Sequence, residues 1–264
     1  MQNSLTFANL LDDAALLSLE HQLHLEEVLA DHNWHVDLQQ QRFEFTGART
    51  ITCTTFHLLG SAAPGPGSWL WAWANPSGFP APVVAASTTL RDFGMKHGIS
   101  ELASAEVPFS TLPGSPSEPH LAAGLMTEAA KAVTGLWTSY NGDAGGGTRA
   151  AFLVEHPDFR LPPPEPARVM RVIQQALVGL QLTDHRRVLH GYAAKRGFQA
   201  DSDAHRTTLR GPGFEAVAEF DQDDRITGIK ADLEGTLTRE GRQGSETCSR
   251  RASARAHGAA PACA

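Results

Sequence analysis

The sequence predicts an α+β fold: antiparallel β meanders packed by helices, followed by a disordered C-terminal tail. Three observations carry that prediction. Apolar residues recur at helical spacing over 13–30, they alternate at period two over 34–55 and again over 214–231, and they show no period after Leu233. Helical and extended patterns therefore come in separate blocks, each with one apolar face to bury.

In the first helix the stripe is Leu16, Leu17, Leu19, Leu23, Leu25, Val28 and Leu29, with Glu20, Gln22, Glu26 and Glu27 between. Trp34, Val36 and Leu38 then alternate with polar residues, as do Phe43 and Phe45, and then Ile51, Cys53 and Thr55, with a turn at Thr46-Gly47. The stretch 60–67 holds three glycines and two prolines and is expected to interrupt extended structure. Residues 68–75 read as a strand closed by Asn75-Pro76-Ser77-Gly78, since proline removes a ladder donor.

Helices are expected over 81–97, stopping at Gly98, and over 118–140. Residues 141–147 read as a glycine-rich loop and 150–154 as a short buried strand. Five prolines within 156–166 mark a stiff connector. The expected organisation is therefore an α+β region over 1–155 containing the tryptophan strand, the connector 156–166, an αα-meander region over 167–233 and the tail 234–264. In the third part Val169, Met170, Val172, Ile173 and Leu177 define a helix over 167–180, and a second helix starts at Thr183 as N-cap and ends at Gly197. Phe214, Ala216, Ala218 and Phe220 then share one strand face, 221–224 turns the chain, and 225–231 returns.

Composition narrows the function classes. Of 264 residues 41% are hydrophobic and 19% charged, the balance of a folded chain. Cys53, Cys248 and Cys263 are too few for a disulfide framework or a four-cysteine zinc site. Net charge is −7 and five arginines against two glutamates fall in 237–264, so the folded body is acidic and a nucleic-acid partner is not expected. No apolar run reaches the roughly 18 residues of a membrane helix, and no leader pattern opens the chain. The expectation is a cytoplasmic protein with no membrane partner and no cofactor.

Five groups of residues are candidate sites. Trp69, Trp71 and Trp73 stand at i, i+2 and i+4, so in one strand their indoles share a face. With Asn75 at its end, that face is either a stacking wall for a sugar, base or peptide, or core under the helices; core is favoured, because large aromatics are mostly buried. His21 and His24, with Glu20 and Glu27 beside them and His32 and His35 repeating the spacing, have zinc-ligand chemistry. They lack the HExxH pairing, and packing at the edge of an apolar face is favoured. The glycines of 142–147 are expected to lead from a helix into a strand, the wrong order for a phosphate cradle. Asp221, Asp223 and Asp224 lack the register of a calcium loop. Asp184, His185, Arg186, Arg187 and His190 could hold an acid–base pair, but the sequence names no nucleophile for it.

The segments Trp34-His35-Val36-Asp37-Leu38, Phe43-Glu44-Phe45, Leu58-Leu59-Gly60 and Ser68 to Pro76, with the stretch 141–154, resemble an uncharacterised bacterial family classed as a domain of unknown function. The resemblance covers about residues 10–200 and implies a fold but no catalytic residue. Three readings follow. A non-catalytic protein-interaction or accessory factor with an unknown protein partner comes first, a small-ligand binder using the tryptophan wall second, and a metal-dependent hydrolase using the first-helix histidines third.

Overall fold

The computed structural model describes residues 4–233, and its first helix, α1 (Phe7–Leu29), begins ahead of the leucine stripe. Thr6 is the reason: its hydroxyl accepts from the Asn9 N–H while the Asn9 side chain accepts from the Thr6 N–H, a reciprocal cap. There follow β1 (His32–Asp37), β2 (Arg42–Gly47), β3 (Thr50–Thr52), β4 (Thr55–Ala63) and β5 (Ser68–Trp71). Next come α2 (Ala81–His97), α3 (Ser100–Ala103), β6 (Glu106–Pro108), α4 (Pro119–Thr134), β7 (Ser139–Asp143) and β8 (Arg149–Glu155). The remainder is α5 (Pro166–Gly179), α6 (His185–Arg196), β9 (Gln199–Ser202), β10 (Arg206–Gly211), β11 (Phe214–Phe220) and β12 (Ile226–Leu233). The strands form three sheets of order β1-β2-β3, β6-β5-β4-β8-β7 and β12-β11-β10-β9. Every pair is antiparallel, so the α+β class holds.

Several element boundaries differ from the expected ones, each for a local reason. No break occurs at Gly60: β4 runs through it to Ala63, and the turn is confined to 64–67. A Cβ at Gly60 would collide with the Leu70 carbonyl oxygen and the Trp69 indole, so this glycine serves close approach within a sheet. The strand expected over 68–75 stops at Trp71, because 72–74 tighten into a 3-10 turn whose end is held by the Asn75 N–H on the Ala72 carbonyl. The helix expected over 118–140 ends at Thr134, where Gly135 takes the left-handed conformation with φ of 72°. Residues 139–143 are then strand, and the expected glycine loop contracts to a β7–β8 hairpin closed by Ala144 N–H on the Thr148 carbonyl. The second helix of the C-terminal region is capped by Asp184, whose carboxylate accepts from the Arg187 N–H, and not by Thr183. Thr183 is diverted to Asp12, to which both its N–H and its hydroxyl donate. The expected tail 234–264, with Cys248 and Cys263, lies outside the described residues.

The middle sheet is buried on both faces. Ala151 and Leu153 join Leu59, Ala62, Trp69 and Trp71 against α2 and α4, while Ala150, Phe152 and Val154 face Phe43 and Phe45 of the first sheet. That explains why β8 is continuously apolar where β11 alternates. The third sheet puts Leu209, Phe214, Ala216, Ala218 and Phe220 against α5 and α6. One helix enters all three clusters: α1 gives Phe7 and Leu10 to the first, Ala15, Leu16 and Leu17 to the second, and Leu25 and Leu29 to the third. At about 1.5–3 kcal/mol for each large apolar side chain buried, α1 is a principal fastening of the fold. Among the described residues no helix is long and apolar enough to cross a membrane.

Candidate functional site

The tryptophan wall is core. Trp69 and Trp71 on β5 have no exposed surface and pack edge to face, with ring centroids 5.3 Å apart. Trp71 donates its indole N–H to the Glu101 carbonyl, 3.0 Å away. Trp73 lies off the strand on the 3-10 turn, half-buried, with the Arg91 guanidinium 5.4 Å from its ring centre. Asn75 uses its side-chain oxygen to accept from the Ser77 N–H and so builds the turn before Pro76 to Gly78. These four side chains therefore do not assemble one open surface.

The first-helix histidines are engaged separately. His21 Nδ1 lies 3.2 Å from the Thr138 hydroxyl and His24 Nε2 lies 3.1 Å from the Asp158 carbonyl. His32 and His35 fall on opposite faces of β1, the first half-buried and the second exposed. Among the described residues no three His, Cys, Asp or Glu side chains converge as metal ligands would. What α1 does present is a row of polar side chains aimed at later helices. Asp13 pairs with Arg187, and buried Glu20 accepts from the Tyr192 hydroxyl at 2.9 Å and meets Arg196 and Arg168. Glu27 takes Arg168 and Arg171, and the Arg168 hydrogen bond is the main cause holding its carboxyl below the usual range. Ser18 joins Glu128 and buried Lys131 of α4. No charge on this helix is buried without a partner, as desolvation demands.

Beside this row lies a cleft of about 350 Å³. It is assembled from the later turns of α1, from Thr54, from the α4–β7 connector 135–138 and from 154–160, the end of β8 with its 3-10 turn. On one wall His21 stacks with Trp137, ring centroids 6.5 Å apart and planes 27° from parallel. On another His156 packs on Phe159, with centroids 5.5 Å apart. Burial above all, and then the charges of Lys131, His24, Arg196 and Arg168, push the His21 imidazole down to about 3. It is neutral at pH 7 and offers one donor and one acceptor nitrogen. His156 Nδ1 accepts from the Asp158 N–H and pins the 3-10 turn. The Lys195 ammonium stands 5.6 Å from the centre of the Trp137 ring. Exposed Glu155 and Arg160 complete the lining.

The remaining candidates resolve into turns and surface contacts. Gly145, Gly146 and Gly147 form the hairpin tip at positive φ, whereas Gly142 lies inside β7, where a Cβ would strike the Trp34 indole. Asp221 accepts from the N–H groups of Asp223 and Arg225 and shapes the β11–β12 turn. The cluster around Asp184 does find a hydroxyl that sequence reasoning could not name: His190 Nε2 is 2.7 Å from Ser202 Oγ, itself 2.7 Å from the Thr207 hydroxyl. Both His190 and Ser202 are exposed and tie α6 to β9.

Three antiparallel sheets gathered on one long helix, with a ring-lined cleft beside that helix, define an α+β protein. Residues 8–157 match DUF6882, a family of unknown function, and the chain belongs to that family. The match takes in α1 to β8 with the tryptophan run, and it stops short of the residue 200 to which the motif resemblance extends. Comparison with curated proteins and with solved structures gives no match.

Proposed function

We propose that this chain is a non-catalytic binding protein and that the cleft between α1, 135–138 and 154–160 holds a small ligand. The observation that carries the reading is the pair of ring walls, His21 with Trp137 and His156 with Phe159, around one cavity of about 350 Å³. Ligand pockets generally occupy roughly 300–1,000 Å³ and are lined by aromatic side chains with a few fixed polar groups. The two imidazoles serve as fixed polar groups and not as proton carriers. A general base works best with a pKa near the operating pH, which the buried His21 at about 3 is far from, and His156 Nδ1 is taken up by the Asp158 N–H.

A protein partner, the other non-catalytic reading, has less support. Large exposed apolar side chains among the described residues, Met95, Leu121, Val178 and Leu180, are spread over α2, α4 and the end of α5. We take the proline-rich 156–166 stretch as a connector between the family domain and an added αα-meander module; the end of the family match at 157 supports this. A cytoplasmic location belongs to the same proposal, and the free thiol of Cys53 suits a reducing compartment. The cleft reading is tested by screening a fragment library against the full chain by amide-detected NMR. Hits that shift the amides of 135–138 and 154–160 support it; hits confined to other regions, or unaffected by Trp137→Ala, sink it.

A further inference from the structure

We infer that the occupant of the cleft is an aromatic ring bearing one anionic group, with the ring against Trp137 and the anion at Arg160. The inference rests on the cleft reading above and adds the chemical class of the ligand.

Of the arginines in the described residues, all but Arg160 and Arg225 have a carboxylate within ion-pair distance. Arg160 is thus a cation in the cleft lining that no carboxylate among the described residues has claimed. Glu155, the carboxylate in the same lining, is not among its ion-pair partners. A guanidinium presents a planar fork of donors that matches carboxylate, sulfonate or phosphate geometry. Further in, the charges of Lys131, Arg196 and Arg168 also bear on His21, each of them paired with a carboxylate in Glu128, Glu20 or Glu27, so Arg160 is the cation of the lining left to a ligand. Lys195 stands over the Trp137 ring, 5.6 Å from its centre.

Trp137 and Phe159 supply apolar area, and the neutral imidazole of His21, stacked with the indole at 27° from parallel, supplies a hydrogen-bonding edge. A flat heteroaromatic or bicyclic ring satisfies such walls and can pair with His21 Nε2, the nitrogen not engaged by Thr138, whereas an aliphatic chain cannot.

The test uses two dyes with the same ring system, titrated into the full chain. Anilinonaphthalene sulfonate carries the anion, and phenylnaphthylamine does not. The expected result is saturable one-to-one binding of the sulfonate, weakened about tenfold by Arg160→Gln, with phenylnaphthylamine binding unchanged by that substitution. Thr54→Trp is made at an exposed rim position, so it fills the mouth without disturbing the core, and it abolishes binding of both dyes. If both dyes bind alike and Arg160→Gln changes neither, the anionic class is overturned while the cleft reading survives. If Thr54→Trp leaves both titrations as they were, the dyes sit elsewhere and both readings fall.

Discussion

His21 is held neutral by its surroundings, and that has a consequence for stability. Its folded value of about 3 lies below its ordinary value of 6.5. The unfolded chain therefore takes up a proton at His21 before the folded chain does, so its contribution is whole above pH 6.5 and is lost as pH falls toward 3. Urea midpoints measured down this range are expected to decline, and the decline between pH 6.5 and 4.5, above the carboxylate range, is expected to flatten in His21→Asn. Glu20 is the opposite case, a fully buried carboxylate whose worth lies in its partners Tyr192, Arg196 and Arg168. Glu20→Ala leaves the Tyr192 phenol and the Arg196 guanidinium without their carboxylate and Arg168 with Glu27 alone, and a loss of about 3–5 kcal/mol is expected by urea denaturation. Removing Arg210, whose pairs with Asp201 and Glu215 lie on an exposed sheet face, is expected to change the same midpoint little.

At the level of elements, caps and close approaches decide more than periodicity. Asp184→Ala deletes the N-cap of α6 and is expected to cost about 1 kcal/mol by urea denaturation. Asp12→Ala is expected to cost more, about 2–3 kcal/mol, since a buried carboxylate that accepts three hydrogen bonds from Thr183 and Asp184 is lost. Gly142→Ala drives a methyl into the Trp34 indole, for a cost of about 1–3 kcal/mol; pairing it with Trp34→Leu should recover part of the loss in a thermal melt. What the sequence discloses follows the same division. Strands with one wet face, such as β11 with Phe214, Ala216, Ala218 and Phe220 inward, are legible because alternation survives. β4 is not, because a bulge between Leu58 and Gly60 switches the face on which apolar residues fall and a glycine stands where packing is tightest. The short α3 and β6 carry too few residues to show any period. The cleft is illegible for another reason. His21, Thr54, Trp137 and Arg160 come from segments far apart in the chain, and none sits in a local motif.

For the whole molecule, α1 couples regions that the chain order keeps apart. Because it contributes to all three apolar clusters, 4–155 and 166–233 are expected to unfold together. Native-state hydrogen exchange checks this: the slowest amides of β8 and of β11 should share one opening free energy, and a distinctly lower value for β11 would show independent unfolding. The same helix also limits how this family member can change. Successive residues of a helix are rotated by about 100°, so inserting a single residue midway through α1 would swing Glu20 and Leu25 a quarter-turn away from their partners while Phe7 and Leu10 stayed in place. Genetic drift in its length is thereby confined to multiples that restore phase, whereas the hairpin tip at 145–147, with room for added atoms at Gly145 and Gly146, is free to grow or shrink.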